Sequence, residues 1–512
     1  MLLWLFVLLG VVLHADVVQS APSEDRISSL PLFGPPPTPH YSGYLDATEG
    51  CNTDVNGAFC KLHYWLALAE GGSDGDWTTK PVVLWLNGGP GSSSVLGFLQ
   101  ELGPLLLNNT GGLMENPFAW TTVANVFVLE SPIGVGFSYC EKQTEPGGVC
   151  ENTDKYTASA SRAALVDFFQ NKFPEFQSHD FYITGESYAG IYIPTLAYEV
   201  IQHNDQNPAV RIPLKGLAIG DPCTDNDAQR FSMDSLWYGH KYGLVDDAVF
   251  DELWNKCEAR SPNTLMTGDH HHHSSSQRDN SSTSRVERLL SMSRESDDPA
   301  CQLAMRKFLL SSSRALSQAW PKQYIDDYSL FAPVSAAEDN AMATYLNRPD
   351  VQAALHVESI GGGEWPMPAG DFDYTKEYNA CNENPSDPRS MIDFYRKIVP
   401  ALEQSVWVYN GDTDPCVSYE GTRTAIKRVG FPELDGGGYR PWFFNHSATT
   451  MDVLKAKALL FGPDLQLQDA GAQFAGEIVN YENGLAFLTF HGSGTSCHNY
   501  IVALTNIVPL PV

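Results

Sequence analysis

Six short apolar segments limit the folds that are open to this chain. They occupy residues 81–87, 125–131, 180–187, 214–221, 405–412 and 484–492. Their apolar residues run almost without interruption, which is the pattern of strands buried on both faces of a sheet. Helix-like stretches such as 158–173 and 189–203 lie between them. We therefore predict an α/β protein with a central, mostly parallel mixed sheet flanked by helices.

The alternation of strands and helices stops between residues 223 and 344, where helical segments replace strands. This break predicts a mainly helical cap inserted between two parts of the core, 21–222 and 345–512. Within the insertion, 261–298 is polar and Ser-rich, a composition that does not offset the entropy of ordering. We interpret it as an exposed low-complexity loop. Its four histidines, 270–273, lack the rigid geometry of a metal site, so we expect no metal and no cofactor.

The first 20 residues form an apolar run that ends in small residues, which predicts a signal peptide cleaved near Ser20 and Ala21. His14 and Asp16 interrupt the run before it reaches the ~20 apolar residues of a membrane span. No later segment resembles a span. We expect a protein of the secretory pathway, either secreted or vacuolar or lysosomal.

The composition agrees with that location. The chain has 10 cysteines, which favour disulfides in a secreted protein, although spacing alone does not say which of them pair. Cys51 with Cys60, and Cys140 with Cys150, are close enough to enclose short loops. The formal charge of −29 argues against a nucleic-acid partner and suits an acidic compartment. Sequons for N-glycosylation begin at Asn108, Asn280 and Asn445.

The segment ITGESYAG, 183–190, places Ser187 between a predicted strand and a predicted helix. Small residues surround the serine, as a sharp strand-to-helix turn requires, and such a turn exposes a nucleophilic hydroxyl above the sheet. The segment WLNGGPGSSS, 85–94, follows another strand. Its glycines allow backbone N–H groups to approach a ligand, as in an oxyanion hole. A phosphate-binding loop is the alternative, but the segment contains no lysine.

These two segments, together with ESPIGVGFSY (130–139) and YNGDTD (409–414), resemble the serine carboxypeptidase family in sequence and in order. Further matches run from HYSGYLD at His40 through YLNRPDVQAALH (345–356) to TFHGSG, near the end of the chain. The resemblance implies an α/β-hydrolase fold with a helical cap. It implies hydrolysis of peptides or proteins at a free C-terminus.

The resemblance also implies roles for individual residues. Ser187 would be the nucleophile that forms an acyl-enzyme, and the N–H groups of Gly89 and Tyr188 would form the oxyanion hole. Asp414 would be the catalytic acid, whereas Asp412 is expected to orient its loop. The order serine, aspartate, histidine is the one found in α/β hydrolases.

An exopeptidase also needs a receptor for the substrate's C-terminal carboxylate. The resemblance implies Trp85, Asn87 and Glu186, with Glu101 paired to Glu186. Two neighbouring carboxyl groups do not both ionise readily, so one of them keeps a proton at acidic pH. The protonated group can then donate a hydrogen bond to the substrate carboxylate.

The chain departs from the family at two positions. The family has a cysteine after GGPG, but this chain has Ser92, so one disulfide is expected to be absent at a cost of ~2–5 kcal/mol unless other pairs compensate. The family also has its catalytic histidine directly after Gly494, and this chain has Thr495. A serine without such a base loses the group that accepts and returns its proton.

Three explanations for Thr495 stay open. His498 could supply the base from three residues further along, whereas His491 precedes the turn and is disfavoured. The protein could instead be a peptide-binding relative with impaired catalysis. The C-terminal segment could also differ from the natural one through a misread exon boundary or frame, because the resemblance ends abruptly at Gly494. The function predicted is a serine-type carboxypeptidase, with an acyltransferase on the same scaffold as an alternative.

Overall fold

The computed structural model describes residues 21–71, 76–108, 111–257, 298–312, 336–358, 365, 372–382, 384–445 and 472–494. Several predicted features lie outside these residues: the signal peptide, most of the low-complexity loop with its four histidines, Asn280, Thr495 and His498. In the described part of the chain no helix is long and apolar enough to cross a membrane.

The strands form one sheet of 12 strands and two small two-stranded sheets. In chain order they are β1 Arg26–Ile27, β2 His40–Asp46, β3 Cys60–Ala67, β4 Val82–Leu86, β5 Leu105–Leu107, β6 Leu113–Glu115, β7 Asn125–Leu129, β8 Tyr139–Cys140, β9 Cys150–Thr153, β10 Phe181–Glu186, β11 Leu214–Gly220, β12 Phe372–Thr375, β13 Val406–Gly411, β14 Arg440–Asn445, β15 Ala472–Asn480 and β16 Leu485–Phe490. The main sheet runs β1-β2-β3-β7-β4-β10-β11-β13-β16-β15-β14, and β8 pairs with β3.

The six strands predicted from the sequence are the six central strands of this sheet, β7, β4, β10, β11, β13 and β16. Each pairs in parallel with its neighbours in that series. The prediction of a mostly parallel mixed sheet is confirmed. Antiparallel strands extend it on both sides, with β1, β2 and β3 on one edge and β15 and β14 on the other.

Helices cover both faces of the sheet. They are α1 Thr53–Asn56, α2 Val95–Gln100, α3 Asp154–Asp167, α4 Ala189–Gln206, α5 Asn226–Gln229, α6 Ser235–Lys241, α7 Asp247–Asp251, α8 Pro299–Ser312, α9 Ala336–Leu346, α10 Pro349–Ala354, α11 Met391–Ile398 and α12 Tyr419–Lys427. The described residues between 223 and 344 form helices and contain no strand. The cap and its bounds stay a prediction.

Two hydrophobic clusters lie on opposite faces of the sheet because side chains alternate along each strand. On β4, Leu84 belongs to the cluster covered by α3, α4 and α11, whereas Trp85 belongs to the cluster on the other face. The residues of β4 and of β10 are all buried, which explains their uninterrupted apolar pattern. The central strands therefore hold their carboxyl ends, where Ser187 follows, on a rigid base.

Four disulfides are present among the described residues: Cys51–Cys60, Cys140–Cys150, Cys223–Cys381 and Cys257–Cys301. The first two enclose the short loops expected from the sequence. The third spans 158 residues and ties the segment after β11 to the second part of the core. Long loops lose the most entropy in the unfolded chain when they are closed, so this bond is expected to contribute most to stability.

His40 on β2 is fully buried, and its burial predicts that acid destabilises the fold. The indole N–H of Trp65 donates to its Nδ1 at 3.2 Å, and Nε2 has no hydrogen-bond partner within the described structure. Burial lowers the pKa of His40 to about 3, since a charged ring would lie unpaired in the core. Below about pH 6.5 the unfolded chain binds a proton that the folded chain excludes.

We therefore expect the free energy of unfolding to fall by about 1.4 kcal/mol per pH unit as the pH drops from ~6.5 toward ~3, from His40 alone. His40→Phe should remove this slope, whereas replacing the half-buried His203 on α4 by Gln should leave it unchanged. Urea unfolding at a series of pH values measures the effect. An unaltered slope in His40→Phe would show that other groups take up the protons.

Candidate active site

Ser187 lies in a sharp turn between β10 and α4, as the sequence predicted. Its φ of 59° is left-handed, which is uncommon for a residue other than glycine. The turn is held on both sides: the Ser187 N–H donates to Gly220 O at 3.0 Å, and the N–H groups of Gly190 and Cys223 each donate to Ser187 O at 2.9 Å. The backbone thus fixes the serine at the carboxyl end of the sheet.

Glycines surround this turn because the backbone segments approach too closely for a side chain. A Cβ on Gly185 would lie 2.2 Å from Leu86 O, and one on Gly190 would lie 2.4 Å from Cys223 O. A Cβ on Gly88 would lie 2.5 Å from Tyr188 N. The Gly-rich loop, residues 88–94 after β4, therefore crosses directly against the serine turn.

The two N–H groups expected to form an oxyanion hole lie on these two touching segments. Within the described structure neither Gly89 N–H nor Tyr188 N–H has a hydrogen-bond acceptor. Gly89 has a φ of 114°, and Gly91 has a φ of 100°. These values are accessible to glycine and strained for other residues, which explains why the loop is rich in glycine.

Asn87 connects the Gly-rich loop to a buried carboxyl group. Its Oδ1 accepts from Trp85 Nε1 at 2.9 Å and from Gly97 N at 3.0 Å, and its Nδ2 donates to Glu186 Oε1 at 2.8 Å. Trp85, Asn87 and Glu186 are all buried. Three of the four residues expected to bind a carboxylate are therefore joined by hydrogen bonds beside Ser187.

The fourth residue, Glu101, shares an electrostatic environment with Glu186. Burial raises the pKa of Glu101 to about 8. Burial also raises the pKa of Glu186 well above its usual range, and the nearby Glu101 and Asp414 carboxylates raise it further against the Asn87 hydrogen bond. Both glutamates thus favour the protonated form at acidic pH.

Two aspartates follow β13, and their surroundings differ. Asp414 is buried, and its Oδ1 accepts from Cys416 N at 2.7 Å and Val417 N at 3.2 Å. Asp412 accepts from His491 Nδ1 and from Gly492 N, both at 2.7 Å. These bonds hold the loop after β13 against the loop after β16. His491 is exposed and bound to Asp412 rather than to Asp414.

The last described residues of the chain pack against the loop that contains Asp414. The N–H and Oγ1 of Thr413 donate to Ser493 O at 2.9 and 2.7 Å. A Cβ on Gly411 would lie 2.2 Å from Gly494 O. Gly494 is the last described residue of the chain, and Thr495 and His498, the two positions that concern the base, lie outside the described residues.

Two tyrosines that no sequence motif indicates hold the same loop. Tyr238 and Tyr242, from α6 and the residue that follows it, donate through their hydroxyls to the backbone carbonyls of Thr413 and Asp412, the first at 2.7 Å. A hydroxyl bound to a backbone carbonyl leaves no motif or spacing, so sequence reasoning missed both. The predicted cap segment thus touches the loop of Asp414.

The predicted sequons differ in their surroundings. Asn108 is half-buried, and its Oδ1 accepts from Gly112 N at 3.0 Å. Asn445 ends β14.

Ser92, which replaces the expected cysteine, donates its N–H to Gly88 O at 3.2 Å within the Gly-rich loop.

The contact of the loop with the serine turn can be tested through Gly88. In Gly88→Ala the new Cβ would collide with backbone at Tyr188, and overpacking of this kind costs ~1–3 kcal/mol. We expect a lower unfolding midpoint in urea. Gly438→Ala is the matched control, because its Cβ would lie at an ordinary 3.4 Å from Glu433. Equal midpoints for the two variants would contradict the described contact.

The chain is similar to known proteins over almost its whole length. The family model described as serine carboxypeptidase matches residues 31–500. Serine carboxypeptidase-like 20 of Arabidopsis thaliana is 30% identical, over 94% of this chain and 92% of that protein. Serine carboxypeptidase 1 of Hordeum vulgare is 27% identical, over 94% of this chain and 91% of that protein.

Among solved structures, the chain is similar to a prohormone-processing carboxypeptidase from Saccharomyces cerevisiae. The TM-score is 0.61 with 20% identity, over 91% of this chain and 89% of that one. At this level of identity the similarity concerns the fold alone.

Proposed function

Because the chain belongs to the serine carboxypeptidase family, we propose that it removes C-terminal residues from peptides and proteins at acidic pH through an acyl-enzyme. The observation that carries this proposal is the hydrogen bond between Asn87 and Glu186. Both residues are close in sequence to the groups proposed to react, the Ser187 hydroxyl and the Gly89 N–H. Glu186 directly precedes Ser187, and Asn87 lies two residues before Gly89. A carboxylate receptor beside a nucleophile restricts cleavage to the last peptide bond.

In the proposed reaction, Ser187 Oγ attacks the carbonyl carbon of the last peptide bond while its proton passes to a base. The oxyanion that forms accepts hydrogen bonds from Gly89 N–H and Tyr188 N–H, neither of which has an acceptor within the described structure. The base returns the proton to the leaving amine, which departs as a free amino acid. Water then attacks the ester, and the shortened peptide leaves with a new carboxyl group.

The protonated glutamates recognise the substrate's carboxylate. A carboxyl group that keeps its proton donates a hydrogen bond to an anion, whereas an ionised one repels it. Trp85 and Asn87 position Glu186 through the contacts described above. Asp414 would orient the base and stabilise its charged form.

His498 is our candidate for the base. It follows Gly494 by four residues, and Gly494 itself lies against the loop of Asp414. The alternative explanation for Thr495 is that the residues after Gly494 differ from those of the natural protein, through a misread exon boundary or frame. The absence of a histidine at position 495 is also the one observation that favours a second function, a peptide-binding protein with impaired catalysis.

The proposed site of action is the secretory pathway. The four disulfides support it, since such bonds persist in oxidising compartments. The signal peptide over residues 1–20 and glycans on Asn108, Asn280 and Asn445 belong to the same proposal. Mass spectrometry of the secreted protein, before and after removal of N-linked glycans, would locate its first residue and its modified asparagines.

Labelling by a fluorophosphonate probe tests the nucleophile. We expect the purified protein to be labelled on Ser187 at about pH 5, and Ser187→Ala to resist labelling, because only an activated serine attacks such a probe. His498→Ala should lower the rate of labelling by at least ~100-fold if His498 is the base. Labelling that is normal in His498→Ala would exclude this residue. No labelling of the unaltered protein would favour the binding protein.

The pH dependence of KM tests the carboxylate receptor. The Glu101 pKa of about 8 implies that the pair keeps a proton below this pH and loses it above. We therefore expect KM for a peptide with a free C-terminus to rise as the pH passes ~8, by up to tenfold per unit. Glu101→Gln cannot lose a proton, so its KM should change less with pH. A KM that stays constant from about pH 5 to 9 would contradict the receptor.

A further inference from the structure

Glu130 lies next to the Gly-rich loop although it comes directly after a different strand. It follows β7, which pairs in parallel with β4, so its side chain emerges at the same end of the sheet as the loop after β4. Glu130 is fully buried, with 0% of its surface exposed. A buried carboxylate is costly unless hydrogen bonds satisfy it, so its partners indicate what it does.

Four donors saturate this carboxylate. Oε1 accepts from Ser93 Oγ and from Trp365 Nε1, the latter at 2.9 Å. Oε2 accepts from His63 Nδ1 and from Phe137 N, both at 2.9 Å. A carboxylate has about four acceptor sites, and all of them are used here. Glu130 thus joins four separate segments of the chain at one point.

Part of this network has the connectivity of a hydrolytic triad. His63 Nδ1 contacts Glu130, and His63 Nε2 lies 2.9 Å from Ser42 Oγ. All three side chains are fully buried, and Ser42 Oγ also donates to Leu355 O at 2.8 Å. Because no substrate can reach Ser42, this Ser–His–Glu group is not a second catalytic site. Its geometry serves to hold the backbone.

The segment held by Glu130 is the Gly-rich loop, residues 88–94. Ser93 Oγ donates to Glu130 and accepts from Val95 N at 3.2 Å, and Ser94 Oγ accepts from Asn87 N at 3.2 Å. Gly89 lies between the points of attachment. Position 92 is a serine, so no disulfide can hold the loop there. The buried Ser93–Glu130 bond lies one residue further along.

We propose that Glu130 is a positioning residue for the Gly-rich loop, which it fixes through Ser93 so that Gly89 N–H stays at the oxyanion of the reaction on Ser187. This proposal rests on the proposed function for the role of Gly89, but not for the attachment itself. Glu130 does not touch the reacting atoms. A displacement of ~1 Å in such a donor can cost up to ~100-fold in rate.

Glu130→Gln is the informative variant because the side chain keeps its shape while one of the two carboxylate oxygens is replaced by an NH₂ group, which cannot accept a hydrogen bond. Whichever way the amide is oriented, its NH₂ group must face a fixed N–H, either that of Trp365 or that of Phe137. Ser93→Ala breaks the same attachment from the loop side and leaves the His63 contact intact. Asp25→Asn is the matched control: Asp25 is also a buried acid, bound to Tyr64 at 2.7 Å and Lys172 at 2.8 Å, far from the loop in sequence.

Hydrogen–deuterium exchange of the full-length mature protein tests the attachment without requiring catalysis. We expect amides of residues 88–94 to exchange at least ~10-fold faster in Glu130→Gln and in Ser93→Ala than in the unaltered protein, and no such local change in Asp25→Asn. The effects of the two changes should not add in the double variant, since both act on the Ser93–Glu130 bond. Unchanged exchange in the loop, or an equal increase in the control, would overturn the proposal. If Glu130→Gln does not fold, Ser93→Ala decides.

Kinetics on a peptide with a free C-terminus test the consequence. We expect kcat to fall by ~10–100-fold in Glu130→Gln while KM changes little, because the oxyanion forms only in the transition state. Asp25→Asn should retain the activity of the unaltered protein. A faster-exchanging loop with an unchanged kcat would overturn the positioning role. If the unaltered protein shows no turnover, the proposed function fails, and the exchange experiment still decides whether Glu130 holds the loop.

Discussion

The close crossing of two backbone segments at Ser187 is the constraint on which the rest of the site depends. A Cβ on Gly88 would lie 2.5 Å from Tyr188 N, and Cβ atoms on Gly185 and Gly190 would also meet backbone oxygens. Only glycine permits these approaches. The crossing brings two free N–H groups to one place, beside a serine held at a φ of 59°. The parallel strands β4 and β10, buried along their whole length, supply the rigidity that such a strained turn needs.

Two buried ionisable groups are expected to lower the stability of the fold, one as the pH rises and the other as it falls. The pKa of Glu101 is raised to about 8, so its contribution to stability is present below the unfolded value of ~4.5 and is lost as the pH rises through ~8. The pKa of His40 is lowered to about 3, so its contribution is present above ~6.5 and is lost as the pH falls. The same protonated carboxyl group that would bind substrate therefore favours the folded state in weak acid.

Much of the fold was predictable from the sequence because the six central strands are buried on both faces and show it as continuous apolar runs. The edge strands β2 and β15 contain polar residues and glycine and were not predicted. Strands β3 and β14 were not predicted either, although each contains a short apolar run. In the site, Ser187 and the Gly-rich loop left motifs, since a tight turn restricts residue type. Glu130 begins the motif ESPIGVGFSY, but the motif does not indicate its role, and Tyr238 and Tyr242 belong to no motif. Each of the three acts through contacts between segments far apart in the chain. The pairing of Cys223 with Cys381 was hidden for the same reason.

The central claim is that this site hydrolyses the last peptide bond of a substrate. Mass spectrometry of a defined peptide, incubated with the purified protein at about pH 5, tests it most directly. We predict the stepwise loss of single C-terminal residues, with no loss from the same peptide carrying a C-terminal amide and none with Ser187→Ala. Cleavage at internal bonds, equal cleavage of the amidated peptide, or a peptide left intact by the unaltered protein would contradict it.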